Sequence, residues 1–125
     1  MYASQLQSYK QVHKVSMSPR EVEASVLTKA AMMLKECQDN WDASDREARL
    51  QNALRHNQLI WSVFQSELSK EENPLPKKLK EDILSLSAFI DKRIFEIMAH
   101  PTSEKLAIII SINLNLAAGL RVKPE

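Results

Sequence analysis

The chain has 125 residues, with 17 Lys and Arg against 16 Asp and Glu, three His, one Cys and one Gly. Phosphate-binding loops, dinucleotide fingerprints and type I′ hairpin turns need Gly where the backbone takes positive φ or approaches a ligand closely. A single Gly therefore excludes all three. The net charge of +1 provides no strong field for nucleic acid or anionic lipid, and one Cys cannot form an intrachain disulfide.

The start of the sequence lacks the apolar region of a secretory signal, and no unbroken apolar run is longer than Leu106–Ile110. A bilayer span needs about 20 apolar residues. We therefore expect a cytoplasmic protein that does not enter a membrane. The length and the hydrophobic content of 44% predict one domain, residues 1–125, with one core.

Proline divides the chain into segments of helical length, and no segment shows the alternating pattern of a strand. The predicted fold is therefore all-α, a compact bundle of four main helices. Before the first of them, residues 1–14 carry Tyr2, Leu6, Tyr9 and Val12 at rough helical spacing, without a good capping residue. These residues predict a short helix or a loosely attached arm that orders on docking.

The first main helix is predicted at about 18–40. It begins at Ser18–Glu21, a string that combines a capping Ser, a Pro at the first helical position and a Glu three residues after the cap. Its apolar stripe has helical spacing. The stripe consists of Val22, Val26, Leu27, Ala30, Met33, Leu34 and Cys37.

The second main helix is predicted at about 45–70, where the string Ser44–Glu47 forms a second capping box. Its apolar stripe alternates spacings of four and three residues, which is typical of one buried helix face. The stripe consists of Leu50, Leu54, Asn57, Trp61, Phe64 and Leu68.

The third main helix is predicted at about 76–100, after a loop that contains Pro74, with Pro76 at the first helical position. Its stripe consists of Leu79, Ile83, Leu86, Ile90, Ile94 and Ile97.

The fourth main helix is predicted at about 103–118, after the break at Pro101. It is apolar over most of its circumference, so we expect it to be the central and most buried helix. Gly119 follows it directly, at the place of the left-handed residue that commonly ends a helix.

Asn57 and Asn113 both fall in the middle of an apolar helical arc. A buried amide without a partner costs about 1–3 kcal/mol, so we expect the two amides to pair. Such a pair would fix the register of the two helices, as polar core residues do elsewhere. The alternative is that one of the amides binds the backbone of a docked peptide.

Five apolar residues lie off the predicted stripes and form a candidate partner-binding surface. These residues are Leu59, Val63, Leu84, Phe95 and Met98. In one interpretation, the N-terminal arm or a less regular packing covers them. In the other, they line an exposed groove for an amphipathic helix of another protein, and Met side chains suit such adaptable surfaces.

The sequence contains no recognisable catalytic, cofactor-binding or metal-binding pattern. The three His lie in separate segments, without the spacings of zinc or di-iron sites. Cys37 lies on a core stripe, where Cys usually packs as a small hydrophobe. The basic cluster Lys77–Lys80 precedes two acidic residues and lacks interleaved aromatic residues. We therefore expect no enzymatic activity, no cofactor, no metal and no direct RNA contact.

Short strings along the chain, from about Tyr9 to Leu120, carry a resemblance in their order and spacing. They are Ser18–Glu23, Lys29–Ala31, Ala53-Leu54, Asn57, Leu59–Trp61, Phe64, Asn73–Pro76, Phe89, Arg93, Pro101, Glu104–Leu106, Ile110, Ile112-Asn113 and Ala117–Leu120. Together they resemble the FlaF family of flagellar biosynthesis regulators from alphaproteobacteria.

The resemblance implies a non-enzymatic cytoplasmic protein that is needed for flagellin production and export. Family members are thought to bind flagellin before secretion, and to act on flagellin expression together with FlbT, a partner of opposite effect. We therefore expect flagellin to bind through an amphipathic helix, with FlbT as a functional partner. Two alternatives stay open. One is a post-transcriptional regulator that acts through FlbT or flagellin mRNA, and the other is a structural helical homo-oligomer.

Overall fold

The structure, a computed structural model, describes residues 18–122. These residues form the helices α1 (Pro19–Asp39), α2 (Arg46–Leu68), α3 (Lys77–Ala99) and α4 (Ala107–Arg121). A 3-10 turn at Ser103–Leu106 leads directly into α4. The described part of the chain contains no strand, and the all-α bundle predicted from the sequence is confirmed. The predicted arm at residues 1–14 lies outside the described residues.

The start of α1 follows the predicted capping pattern. The backbone N–H of Glu21 donates a hydrogen bond to Ser18 Oγ at 3.2 Å, and Pro19 is the first helical residue. The side-chain acceptor satisfies one of the backbone donors that every helix leaves open at its first turn. The prediction that Ser18 caps this helix is confirmed.

The start of α2 differs from the prediction. The helix begins at Arg46, and Asp45 rather than Ser44 occupies the capping position. Asp45 makes no side-chain capping bond, because its carboxylate accepts a hydrogen bond from Arg49 Nε at 2.7 Å. The predicted capping box at Ser44 is therefore wrong. Similarly, α3 begins one residue later than predicted, with Pro76 in the position before its first helical residue.

The end of α4 also differs from the prediction. Gly119 does not have positive φ, and the helix continues through it to Arg121. Val122 then takes an extended conformation. The prediction that Gly119 terminates the helix in a left-handed conformation is wrong. The physical reason is that Leu120 still packs against the core, and this contact extends the helix beyond the glycine.

The closest packing in the bundle joins α1 and α4 in antiparallel orientation. Near one end, Gln38 Nε2 donates to the carbonyl oxygen of Ser103 at 3.0 Å. Near the other end, Arg121 Nη2 donates to Thr28 Oγ1 at 3.3 Å. Small side chains on α1 are fully excluded from solvent, which suits a close approach of the two backbones. These side chains are Ala24, Ala30 and Ala31.

The helix α2 packs against α1 and against α3. The helix α3 inserts a row of isoleucines into the shared core, namely Ile83, Ile90, Ile94 and Ile97. It also contacts the 3-10 turn at Ser103–Leu106.

The prediction that α4 is the central, most buried helix is wrong. The helix α1 contacts α2, α4 and the 3-10 turn, whereas α4 packs mainly against α1. As a result, Ile108 and Leu114 of α4 are exposed. A nearly all-apolar circumference predicted burial on all sides, but α4 lies at the edge of the bundle and buries one side.

The stretch Ser103–Arg121 is the one helical segment, among the described residues, that is long and apolar enough by length and composition to cross a membrane. Its mean hydropathy is 1.2 over the best window. The middle of this segment contains Asn113, which is buried and hydrogen-bonded to α2. This bond links the segment to α2, and 22% of the window is buried inside the bundle.

Candidate functional site

The two buried asparagines form a hydrogen-bonded pair between α2 and α4. Asn113 Nδ2 donates to Asn57 Oδ1 at 2.6 Å. Asn57 Nδ2 donates to the carbonyl oxygens of Ala53 at 2.9 Å and Ala30 at 3.2 Å, so the network also reaches α1. Both amides are fully buried and engaged, which favours the interpretation that they fix helix register over the one in which they bind a docked peptide.

The network includes Trp61, which sequence reasoning assigned to the apolar stripe alone. Its indole Nε1 donates to Asn113 Oδ1 at 3.0 Å, and its ring meets Phe64 edge-on at 5.9 Å between centroids. A buried indole N–H needs an acceptor. In the sequence, the need of a buried Trp61 for such an acceptor is the one signal that Trp61 lies beside a polar core residue.

The outer side of α3 presents four apolar residues that we call the α3 outer face: Leu84, Ala88, Phe95 and Met98. Phe95 and Met98 are 74% and 61% exposed, whereas Leu84 is half-buried and packs against the core. Their spacing follows the heptad of a helix–helix seam, with Asp91 at the remaining seam position. Such a row fits a second helix laid along α3.

Polar contacts join the α3 outer face to α2. Gln65 of α2 donates a hydrogen bond through its Nε2 to Asp91 Oδ2 at 3.2 Å, and another to Ser87 Oγ. The one charged residue of the seam is therefore already bound within the bundle. Phe95 and Met98 are left as its dominant exposed side chains.

Leu59 and Val63, the other two predicted partner-binding residues, lie on a different side of the bundle. At about 100° per residue, Leu59 lies about 120° and Val63 about 160° around α2 from Gln65, the residue that contacts α3. Leu59 is 43% exposed, and Val63 is partly buried against the core. The five predicted residues therefore do not form one continuous groove.

Further apolar residues, which the sequence did not single out as exposed, lie along one side of α3 and along one side of α4. On α3 they are Leu86 and Phe89, next to Arg93, and on α4 they are Ile108, Ile112 and Leu116. Each set keeps to one side of its helix through spacings of three or four residues. Phe89 and Ile108 are each 39% exposed, and Leu86, Ile112 and Leu116 pack partly buried on the core.

Arg93 is the charged residue beside the apolar row of α3. Its guanidinium carbon lies 5.5 Å from the centroid of the Phe89 ring, within the range of a cation–π contact. Its Nε forms an ion pair with Glu96 Oε2 at 3.8 Å. Arg93 Nε is buried and finds no hydrogen-bond acceptor among residues 18–122.

A cavity of about 160 Å³ lies between α1 and α2 beside Cys37. Burial raises the pKa of the Cys37 thiol, and the neighbouring Glu36 carboxylate raises it further. A thiol with a raised pKa stays protonated near neutral pH, and the protonated form is a poor nucleophile. The Cys37 thiol beside this cavity is therefore protonated near neutral pH.

The described residues 18–122 contain no group of three or more His, Cys, Asp or Glu that could hold a metal ion. The basic cluster at the start of α3 is partly neutralised, because Lys78 Nζ pairs with Asp82 Oδ1 at 3.1 Å. Of the other two lysines of this cluster, Lys77 is exposed and Lys80 is half-buried.

A profile of the family described as flagellar protein FlaF matches residues 5–120. The chain belongs to the FlaF family. Comparison with curated proteins and with solved structures finds no match. FlaF membership makes the chain a flagellar protein, and the resemblance predicted from the sequence is confirmed. The match covers α1, α2 and α3 completely and α4 up to Leu120, so the α3 outer face belongs to the FlaF part of the chain.

Proposed function

We propose that this FlaF-family protein binds flagellin in the cytoplasm and supports its expression and secretion as a non-catalytic chaperone. The observation that carries the proposal is the α3 outer face. A flagellar protein that exposes Phe95 and Met98 on one helix side presents an apolar surface of the kind that marks partner binding.

The spacing of the α3 outer face favours a helical partner. Residues at heptad spacing pack into the face of another helix, so an amphipathic helix of flagellin can lie along α3. Phe95 supplies a large apolar contact area, and the flexible Met98 adapts to the partner's shape. Leu84 lies at the N-terminal end of this row and also packs against the core.

The proposed site retains Leu84, Phe95 and Met98 from the five residues that the sequence predicts. Leu59 and Val63 lie on another side of α2 and are not part of it. A functional link to FlbT stays a prediction from the resemblance.

The experiment is co-elution of the purified protein with monomeric flagellin, followed by light scattering. We expect a complex with a fixed molar ratio and a mass equal to the sum of its components. If the protein alone elutes as a large homo-oligomer and flagellin elutes separately, the proposal is wrong. That outcome would instead favour the structural oligomer, whose apolar surfaces are covered by copies of the chain.

A further inference from the structure

We propose that residues 2–12 form an amphipathic helix that packs along the exposed side of α4, within the same chain and parallel to α4. The exposed side of α4 is defined by Ile108, Ser111, Leu114, Asn115 and Ala118. The proposal does not depend on flagellin binding, because it concerns a different helix from the α3 outer face. It assigns a position to a segment that precedes the described part of the chain.

The exposed side of α4 has the composition of a helix face that is normally covered. From Ala107 to Leu120 the helix contains no charged residue. Ile108 and Leu114 are 39% and 38% exposed, and around the helix they lie on either side of Ser111 and Ala118. Large apolar residues beside small ones suit the packing of a second helix. An apolar helix side that faces solvent is typical of an interaction site.

The polar residues on the exposed side of α4 do not oppose such packing. Asn115 Nδ2 donates a hydrogen bond to Ser111 Oγ at 3.3 Å, so these two side chains partly satisfy each other. A covering residue with an apolar ring and a hydroxyl group suits this mixed surface, because the hydroxyl can bond to the remaining polar atoms. Tyrosine has this chemistry, and the segment before α1 contains Tyr2 and Tyr9.

The position of α1 brings the N-terminal segment close to α4. Arg121 Nη2, at the end of α4, donates to Thr28 Oγ1 in the N-terminal half of α1. Ser18 lies only about 15 Å along the axis of α1 from Thr28, at 1.5 Å per residue. Residues 13–17 can span about 17 Å when extended. A helix that ends at Val12 can therefore lie beside the C-terminal end of α4.

The length of the segment matches the exposed side of α4. Residues 2–12 as a helix extend about 16 Å, which equals the length of α4 from Ile108 to Ala118. Because Val12 is the end connected to α1, it lies near Ala118, and Tyr2 lies near Ile108. The FlaF match begins at residue 5, so most of the segment belongs to the same family match as the four helices.

The side chains of the segment fit an uncharged apolar surface. Tyr2, Leu6 and Tyr9 lie within about 60° of one another around a helix, and Lys10 lies about 100° from Tyr9. The lysine can therefore stay in water while the other three side chains contact α4. Residues 1–17 contain neither Asp nor Glu, so no acidic group is placed against Ile108 or Leu114.

The helix α2, which also packs against α1, is a less suitable position for the segment. Leu59 is the one large apolar residue of α2 that is exposed. Polar or charged residues surround it on the exposed side of α2, namely Gln51, Arg55, Gln58 and Ser62. The positive charge of Arg55 also repels the positive charge of Lys10. Composition and charge therefore favour α4.

The connection to α1 favours the chain's own segment over a second copy as the occupant. A short linker holds the segment beside α4 at an effective concentration of about millimolar. A second copy of the chain has to bind from solution at a much lower concentration. The contact is therefore intramolecular, and the protein stays monomeric on this side.

NMR of the full-length protein tests the contact directly. We expect nuclear Overhauser effects between the ring protons of Tyr2 or Tyr9 and the methyl groups of Ile108 or Leu114. Residues 2–12 should also show the Cα chemical shifts of a helix. In a mixture of isotope-labelled and unlabelled protein, no such effect should join two copies.

Leu6→Asp places a charge on the apolar side of the segment and should abolish these effects. The matched control is Gln7→Asp, which adds the same charge at the next position, about 100° around the helix, and should keep them. Circular dichroism establishes that α1 to α4 are folded in each variant. Leu6→Ser replaces Leu6→Asp if the latter is not folded.

The other outcomes overturn the proposal. Contacts from the tyrosines to Leu59 would place the segment on α2, and contacts between copies would make a second copy the occupant. Contacts that persist unchanged in Leu6→Asp would show that the apolar side of the segment does not face α4. The absence of helical shifts and of contacts would leave α4 uncovered. None of these results bears on flagellin binding, which co-elution tests separately.

Discussion

At the scale of single residues, the buried polar network follows from where each polar group lies on its helix. Asn57 and Asn113 were predictable as a pair, because each lies in the middle of an apolar arc and a buried amide needs a partner. The bond from Trp61 to Asn113 was not predictable in the same way. It depends on the distance between α2 and α4, which no local pattern contains.

The amide pair predicts strong coupling between two substitutions. Asn57→Leu and Asn113→Leu should each lower the free energy of unfolding by about 1–3 kcal/mol, because each leaves a buried polar group without its partner. The double variant should lose less than the sum, with a coupling energy of about 0.5–3 kcal/mol. Urea unfolding of the four proteins measures this cycle. Additive losses would show that the two amides act independently.

His56 predicts a pH dependence of stability. Burial lowers the pKa of His56, and the nearby Lys29 charge lowers it further. As the pH falls, His56 therefore takes up its proton at a higher pH in the unfolded chain than in the folded one. The free energy of unfolding decreases between the unfolded pKa, about 6.5, and the lower folded pKa. The stability is fully present above this window.

Urea unfolding of wild type and His56→Gln at several pH values between about 7 and 5 measures the effect. The variant should lose less stability over this range than the wild type. His100→Gln, at an exposed position, is the matched control and should follow the wild-type curve. Parallel curves for wild type and His56→Gln would contradict the assignment.

At the scale of helices, the apolar periodicity located all four helices, whereas their ends depended on contacts that periodicity does not include. The Ser18 cap was predictable because it is a local interaction. The start of α2 was not, since Asp45 pairs with Arg49 instead of capping. The stripe of α3 was also imperfect, because Leu79 is exposed and Ser87, which Gln65 contacts, is buried.

Whether Gly119→Ala raises or lowers the stability depends on whether Gly119 has helical or left-handed backbone angles. In the structure this residue is helical, and a Cβ atom added to it would contact nothing within 4 Å. Gly119→Ala should therefore raise the free energy of unfolding by about 0.5–1 kcal/mol, because Ala is the better helix former. Chemical denaturation measures the change. A decrease in stability would indicate the left-handed conformation that the sequence alone suggested.

At the scale of the whole molecule, the sequence predicted surplus apolar surface but not its arrangement. Helical wheels identified Phe95 and Met98 as lying off the core stripe, and both are exposed. They could not show that Leu59 lies on another side of the bundle, because that depends on the position of α2 relative to α3. The exposure of Phe89 and Ile108 was not predicted, because it depends on how α3 and α4 are positioned in the bundle.

The burial of each residue on the α3 outer face decides which substitutions can test that face without unfolding the protein. Leu84→Glu would place a charge against the core and endanger folding, since Leu84 is half-buried there. Phe95→Glu and Met98→Glu alter side chains that are mostly exposed, so the bundle should keep its stability. Met32→Glu, at an exposed position on α1, is the matched control.

The most direct test of flagellin binding through the α3 outer face is a calorimetric titration of monomeric flagellin with four proteins. These are the wild type, Phe95→Glu, the double variant Phe95→Glu with Met98→Glu, and Met32→Glu. We expect tight stoichiometric binding for the wild type and Met32→Glu, weakening by about tenfold or more for Phe95→Glu, and further weakening for the double variant, since buried aromatic contacts dominate interface energies. Equal affinity of the folded double variant and the wild type would contradict the assigned surface, and no binding by any of the four would contradict the proposed function.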